Sequence, residues 1–339
     1  MYNRLEELRG KKVLVFGAGG GGDVLGAYIL YTKLRSLGAD PVIGSVVWER
    51  YVIDPVPGPI PLEATEGVIK SWGGAALVDG SLVAYREGRR VKPQLSRLLE
   101  ATGLEGLYID LSKGAEGVYR GVKNAMEDLG IEVVIGLDTG GDIIARGCED
   151  GLRSPLADAI SLNVLARLNG LLAILGPGAD GELEDLQVLE YIAKIASNNG
   201  LIGIYGLNKI EYNTALGVAD AVVSEASKIP LKGFQGFYGV ARIRGGTRKV
   251  RVSPVSATIY ILDPAKASDH TPLPQLVGGT RSIEEARRRL NSRCIYTELD
   301  LEEDLYQMKP GSASRPMSID EIYHEGRRRL LMEGCKPNC

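Results

Sequence analysis

The sequence predicts an α/β fold, doubly wound around a mainly parallel, Rossmann-like sheet that carries a small β-hairpin insertion. Three observations carry this. Short apolar runs rich in β-branched residues recur along the chain, most are followed by longer segments of 3.6-residue periodicity, and the first run leads straight into Gly17-Ala18-Gly19-Gly20-Gly21-Gly22. Strands that are apolar throughout, rather than alternating, belong to a sheet covered on both faces and joined by right-handed crossovers.

Strands are predicted at Val13–Phe16, Pro41–Val47, Leu107–Asp110, Glu132–Leu137, Leu171–Leu175, Leu201–Tyr205 and Thr258–Leu262. Helices are predicted at about Asp23–Leu37, Lys92–Ala101, Ala115–Leu129, Ser154–Leu168, Gly181–Asn198, Lys209–Ser227, Ser282–Asn291 and Ser318–Met332. The last two start on serine-to-glutamate spacings, Ser282 to Glu285 and Ser318 to Glu321, that suit a capping box. We read the 339 residues as one domain, 1–339, with insertions at about 48–92 and 232–256 and a C-terminal helical tail at about 318–339.

Two segments interrupt the rhythm. Pro55-Val56-Pro57-Gly58-Pro59-Ile60-Pro61 sets proline at alternate positions, which forces a stiff, extended stretch: a lid, an arm that packs on a second copy in a homo-oligomer, or a surface connection. Arg242 to Arg251 alternates charged and apolar residues around Gly245-Gly246 and so reads as a hairpin with one basic face.

Hydrophobic residues are 44% and charged residues 24% of the chain, as in soluble globular proteins, and no apolar run reaches the ~18 residues that would cross a bilayer. The polar, charged segment Met1 to Lys12 has no signal-peptide character, so a cytoplasmic protein is expected, without a membrane partner. A net charge of −3 gives no electrostatic reason to expect nucleic acid. Four cysteines are too few for a disulfide framework; the pair Cys335 and Cys339 is expected in a loose tail with exposed thiols, with a metal chelate or a small disulfide loop as the other readings. Only two histidines, His270 and His324, are present, which argues against Ser-His-Asp or zinc-histidine catalysis.

The glycine run carries the functional expectation. Gly17, Gly19 and Gly22 satisfy G-x-G-x-x-G in the strand–turn–helix context that such a loop requires, with Gly20 and Gly21 between them. Backbone N–H groups there and the helix N-terminus behind them favour a phosphate or another anion. Glu49, after the second strand, is the candidate ribose partner of an NAD(P) cofactor, although it lies further from Gly22 than the roughly 20 residues that contact normally needs. Asp23 is at odds with a phosphate on the same amides: either it caps the helix, or a bound cation reconciles the two.

Leu137-Asp138-Thr139-Gly140-Gly141-Asp142 follows a buried strand, and in a parallel sheet all such strand ends open on one edge. Asp110 and Lys113, after another strand, are expected to face the same edge. Convergence of Asp23, Asp110, Asp138 and Asp142 would require Mg²⁺, a cationic substrate or Lys113 as compensation. Separate caps and turns are the alternative. A second glycine loop, Gly176-Pro177-Gly178-Ala179-Asp180-Gly181-Glu182, suits a phosphate poorly because Pro177 has no N–H and Asp180 and Glu182 are acidic. It reads as a sugar, ribose or amine contact, or as the plain start of a helix.

Together the first glycine loop, Val47-Trp48-Glu49-Arg50 with Gly58-Pro59-Ile60, and Asp138 to Asp142 resemble an archaeal domain-of-unknown-function family, number 1152, over most of the chain. The resemblance implies a soluble archaeal protein with these segments as its hallmark loops, and no activity. The first loop is also similar to that of tubulin-like cell-division GTPases, but the second, Gly-Gly-Gly-Thr-Gly-Thr-Gly loop those proteins need is missing from this sequence.

The expectation is therefore an enzyme that binds a phosphorylated small molecule or nucleotide, with Asp138, Asp142 and Lys113 as catalytic candidates. Asp23, Asp138 and Asp142 are the candidate ligands of Mg²⁺. Gly17, Gly19–Gly22, Asp23, Glu49, Gly140, Gly141, Gly176 and Gly178 are the binding candidates. An NAD(P)-dependent oxidoreductase and a non-catalytic sensor or scaffold remain as alternatives.

Overall fold

A computed structural model describes residues 4–308 and 318–337. The chain begins β1 (Lys12–Gly17), α1 (Val24–Ser36) and β2 (Asp40–Val46). A single turn α2 (Arg50–Ile53) precedes β3 (Thr65–Ser71), β4 (Ala75–Arg86), β5 (Arg89–Val91) and α3 (Gln94–Thr102). Then come β6 (Gly106–Ile109), α4 (Gly114–Leu129), β7 (Val133–Thr139), α5 (Pro155–Arg167), β8 (Leu171–Leu175) and α6 (Asp185–Ser197). β9 (Leu201–Gly206), α7 (Lys209–Val218) and α8 (Ile229–Phe234) lead to β10 (Gly239–Ile243), β11 (Arg248–Val252) and β12 (Thr258–Leu262). The remainder is helical: α9 (Pro264–His270), α10 (Leu273–Val277), α11 (Ile283–Asn291), α12 (Glu298–Gln307) and α13 (Ile319–Met332). No helix among the described residues is long and apolar enough to cross a membrane.

The central sheet runs β3-β4-β6-β2-β1-β7-β8-β12-β9, with β5 paired to β4. Its middle, β6-β2-β1-β7-β8, is parallel. That is the third, second, first, fourth, fifth order of doubly wound sheets. The alternation of β1 shows the double winding in single residues: Val13 and Val15 pack into one core with α1, α3 and α7, whereas Leu14 and Phe16 pack into the other with α4, α5 and α6.

Several expectations need correction. Residues 48–92 are not simply an insertion, because β3 and β4 extend the sheet antiparallel beyond β6. The strand at Thr258–Leu262 runs antiparallel to both its neighbours, β8 and β9. Its chain arrives through the β10–β11 hairpin, not through a crossover helix. The helix expected over Gly181–Asn198 starts at Asp185, since Asp180 and Glu182 turn inward, and the one expected over Lys209–Ser227 stops at Val218. Ser227 is instead drawn to the glycine loop, where its hydroxyl donates to the Gly22 carbonyl at 3.0 Å.

The proline segment is stitched to its own chain. Arg86 donates to the carbonyls of Val56, Pro57 and Pro59, and the Gly58 amide donates to Glu302. The expected loose cysteine tail is also corrected: Cys294 and Cys335 form a disulfide with Cα atoms 5.2 Å apart, which ties the end of α13 to the turn before α12. Cys339 lies outside the described residues. The capping box at Ser318 is complete, Ser318 accepting from the Glu321 amide and Glu321 from that of Ser318; at Ser282 only half is made, Ser282 accepting from the Glu285 amide while the Glu285 carboxylate accepts from the Arg281 amide.

Candidate functional site

β1 and β7 lie side by side, yet the chain leaves β1 toward β2 on one flank and leaves β7 toward β8 on the other. Divergence of that kind opens a crevice beyond the strand ends. A cavity of about 850 Å³ occupies it, lined by Gly19–Asp23, Asp138 and Asp142 and closed on the far side by the β10–β11 turn.

The glycine loop is built for close approach, and what approaches it is acid. A Cβ on Gly19 would stand 2.8 Å from the Asp158 Oδ1, 2.9 Å from the Asp23 Oδ2 and 3.1 Å from the Asp138 Oδ1. The Gly19 amide donates to Asp23 Oδ2 at 2.9 Å and the Gly21 amide to the Trp48 carbonyl at 3.0 Å, so two of the amides expected to cradle a phosphate are already engaged. Asp23 does not cap α1; its carboxylate folds back over the loop. Burial raises its pKa to about 6, against the pull of the Gly19 amide.

Asp138, the penultimate residue of β7, accepts from the Gly141 amide at 2.6 Å, which is why Gly140 and Gly141 take φ of 127° and 96° in a tight turn. A side chain on Gly140 would collide with the Asp180 carboxylate. Asp142 accepts from the Ser154 hydroxyl at 3.2 Å. From α5, Asp158 enters the same space, 1% exposed, and neither of its carboxylate oxygens has a hydrogen-bond partner among the described residues. Burial first and neighbouring carboxylates second push Asp138, Asp142 and Asp158 well above the usual aspartate range. One oxygen from each lies within 4.8 Å of the others, close enough to hold one ion.

Asp180 and Glu182 form the adjoining wall. Asp180 is 6% exposed with Oδ1 unpaired, and burial together with Glu182 raises it to about 7. Glu182 is buried too, but Arg248, the Arg153 amide and the side chains of Asp142 and Ser154 outweigh that and hold it at about 2. Above this floor the hairpin brings Arg244 and Lys249 to the rim, exposed and in no ion pair among the described residues.

A second acidic group flanks the cleft and is bonded more fully: both oxygens of Glu298 have donors, while Glu302 uses Oε2 and leaves Oε1 without one among the described residues. Glu298 accepts from the Leu156 and Ala157 amides at 3.0 and 2.9 Å, taking the N-terminus of α5 where an anion would otherwise sit, and pairs with Arg50 at 3.4 Å. Glu302 accepts from the Trp48 indole and the Gly58 amide. Arg50 lies over the Trp48 ring and donates to the Gly19 carbonyl at 2.7 Å.

The structure thus brings together Asp23, Asp138 and Asp142 with Gly19–Gly22, and places Gly17 at the end of β1 beneath them. Glu49 lines the cavity, but its Oε1 accepts from the Gln94 amide and burial raises its pKa to about 8. Gly176 and Gly178 lie off the cavity, their amides donating to Thr258 and Gly140 carbonyls. Lys113 is not in this cleft: it pairs with Glu63 at 2.5 Å and lines a separate cavity with Trp72 and Arg120. Asp110 stays with it, accepting from the amides of Leu62 and Ser112. Sequence reasoning missed Asp158, Arg50, Glu298 and the role of Arg248. Asp158 had a signal, a lone acid inside the apolar helical run Leu156 to Leu162. So did α12, whose Thr297 and Asp300 form a capping box.

No curated protein and no solved structure matches the chain. A family model matches residues 14–306 and so spans the glycine loop, the Asp138–Asp142 turn, α5, the hairpin and α12; the chain belongs to the family described as Protein of unknown function (DUF1152).

Proposed function

We propose that this chain is a divalent-cation-dependent enzyme acting on a phosphorylated metabolite or nucleotide, with Asp138, Asp142 and Asp158 as cation ligands. The observation that carries the reading is Asp158, a buried carboxylate with two unbonded oxygens beside two other carboxylates. Leaving a buried charge without partners costs several kcal/mol, and proteins offset such a cost by protonation or by a bound cation. The donor set fits a hard ion, because it offers carboxylate oxygens and no imidazole or thiolate. A bound Mg²⁺ or Mn²⁺ would supply Lewis acidity toward a phosphoryl oxygen or a water.

The chain's own groups do the rest. Arg244 and Lys249, on the hairpin facing the acids, hold the anionic substrate where the amides of the glycine loop are already engaged. Asp23, with its pKa near 6, is poised to take or return a proton at Oδ2 near neutral pH. Glu49, on which a nicotinamide cofactor would depend, gives Oε1 to the Gln94 amide and lies apart from the three clustered aspartates.

Thermal unfolding of the full chain with Mg²⁺ or Mn²⁺, then with a panel of nucleotides and sugar phosphates added, tests this. A ligand at 100 times its dissociation constant adds roughly 2.7 kcal/mol. The expected result is a shift with cation that grows with phosphate compounds and is reduced in Asp158→Asn. No shift with any divalent cation overturns the reading.

A further inference from the structure

We infer that the cleft floor holds two divalent cations bridged by Asp142; the inference rests on the cation-dependent reading above. Asp142 is the one residue shared by two carboxylate triads, Asp138–Asp142–Asp158 and Asp142–Asp180–Glu182, and within each triad one oxygen per residue lies within 4.8 Å of the others. A bridging carboxylate between two such sets is the arrangement by which paired ions about 3.5–4 Å apart are held in two-metal phosphoryl-transfer sites.

Each triad has its own unpartnered group. In the first it is Asp158, 1% exposed with both oxygens free of hydrogen bonds. In the second it is Asp180, 6% exposed with Oδ1 free, while its Oδ2 accepts from the Glu182 amide. A single ion at Asp158 leaves Asp180 as it was, so one cation does not answer both. Arg248, donating to Glu182 Oε1 and to the Asp180 carbonyl at 3.1 Å each, is the counter-charge the chain supplies to the second half, and it does not reach Asp180 Oδ1. Among the other oxygens, Asp138 Oδ2 accepts from the Gly141 amide and Glu182 accepts from the Arg153 amide and the Ser154 hydroxyl, which hold these carboxylates in place.

The test is calorimetric titration of the full-length chain with Mn²⁺ alone, together with the electron paramagnetic resonance spectrum of the loaded protein. Two Mn²⁺ per chain and an exchange-coupled spectrum are expected. Asp180→Asn should lower the stoichiometry to one and abolish the coupling, Asp158→Asn should do the same from the other side, and Asp142→Asn should weaken both sites at least tenfold. One Mn²⁺ per chain with an uncoupled spectrum overturns the bridged pair and leaves the single-cation reading intact. No binding overturns both. The wild-type stoichiometry and spectrum decide the matter even if a variant does not fold.

Discussion

Two groups of buried carboxylates lie within one cleft, and they differ in what surrounds them. Glu298 has an amide on each oxygen and the Arg50 guanidinium beside it, and Glu302 has an amide and an indole N–H on Oε2; among the described residues Asp158 has no donor on either oxygen and Asp180 none on Oδ1. Burial is common to both groups. The comparison teaches that a buried acid marks a ligand site only when the fold leaves it unsatisfied, because a carboxylate with two amides and a cation belongs to the architecture.

Removing a satisfied acid should do the most damage. Glu298→Ala leaves two helix-terminal amides and Arg50 without their acceptor, and a loss of about 3–5 kcal/mol is expected in urea unfolding. A loss under 1 kcal/mol would break the comparison. The opposite sign is expected on the other side: in cation-free buffer Asp158→Asn removes a charge with no donor and should gain about 1–2 kcal/mol, with the Mn²⁺-induced shift reduced.

Glu49 sharpens the contrast through pH. Burial raises its pKa from 4.5 to about 8, so the folded chain keeps a proton that the unfolded chain releases. This group's contribution is intact below pH 4.5 and declines as pH rises toward 8. Glu49→Gln, which retains an acceptor for the Gln94 amide, should flatten that part of the stability profile and be more stable than wild type at pH 8. An unchanged profile would refute it. The smallest effect belongs to Lys113, which is paired with Glu63 on the surface: Lys113→Met should change stability by less than about 1 kcal/mol and leave Mn²⁺ affinity unaltered in the same titration.

Much of the scaffold was legible in the sequence. The five parallel strands were found because buried strands carry unbroken apolar runs, and the glycine loop because strand, turn and helix follow one another locally. β3 was missed because it is largely exposed, and β4 because Asp79-Gly80-Ser81 breaks its apolar residues into two short pieces, so both look like loop in a search for apolar runs. Lys113 was placed at the site by a sound rule, that strand ends share one edge. The rule does not say how far along the edge each strand lies, and β6 is separated from β7 by β2 and β1.

By itself, then, the sequence determined the winding of the sheet and put Asp23, Asp138 and Asp142 at its open edge, since strand burial, turn chemistry and chain order are local. Only the tertiary structure decided which acids are satisfied. Glu298 reaches α5 across 141 residues of chain and Arg248 reaches Glu182 across 66, while among the described residues no such donor arrives at Asp158 or at Asp180 Oδ1. Whether a carboxylate has partners depends on groups brought to it from far along the chain, and no local pattern encodes their arrival.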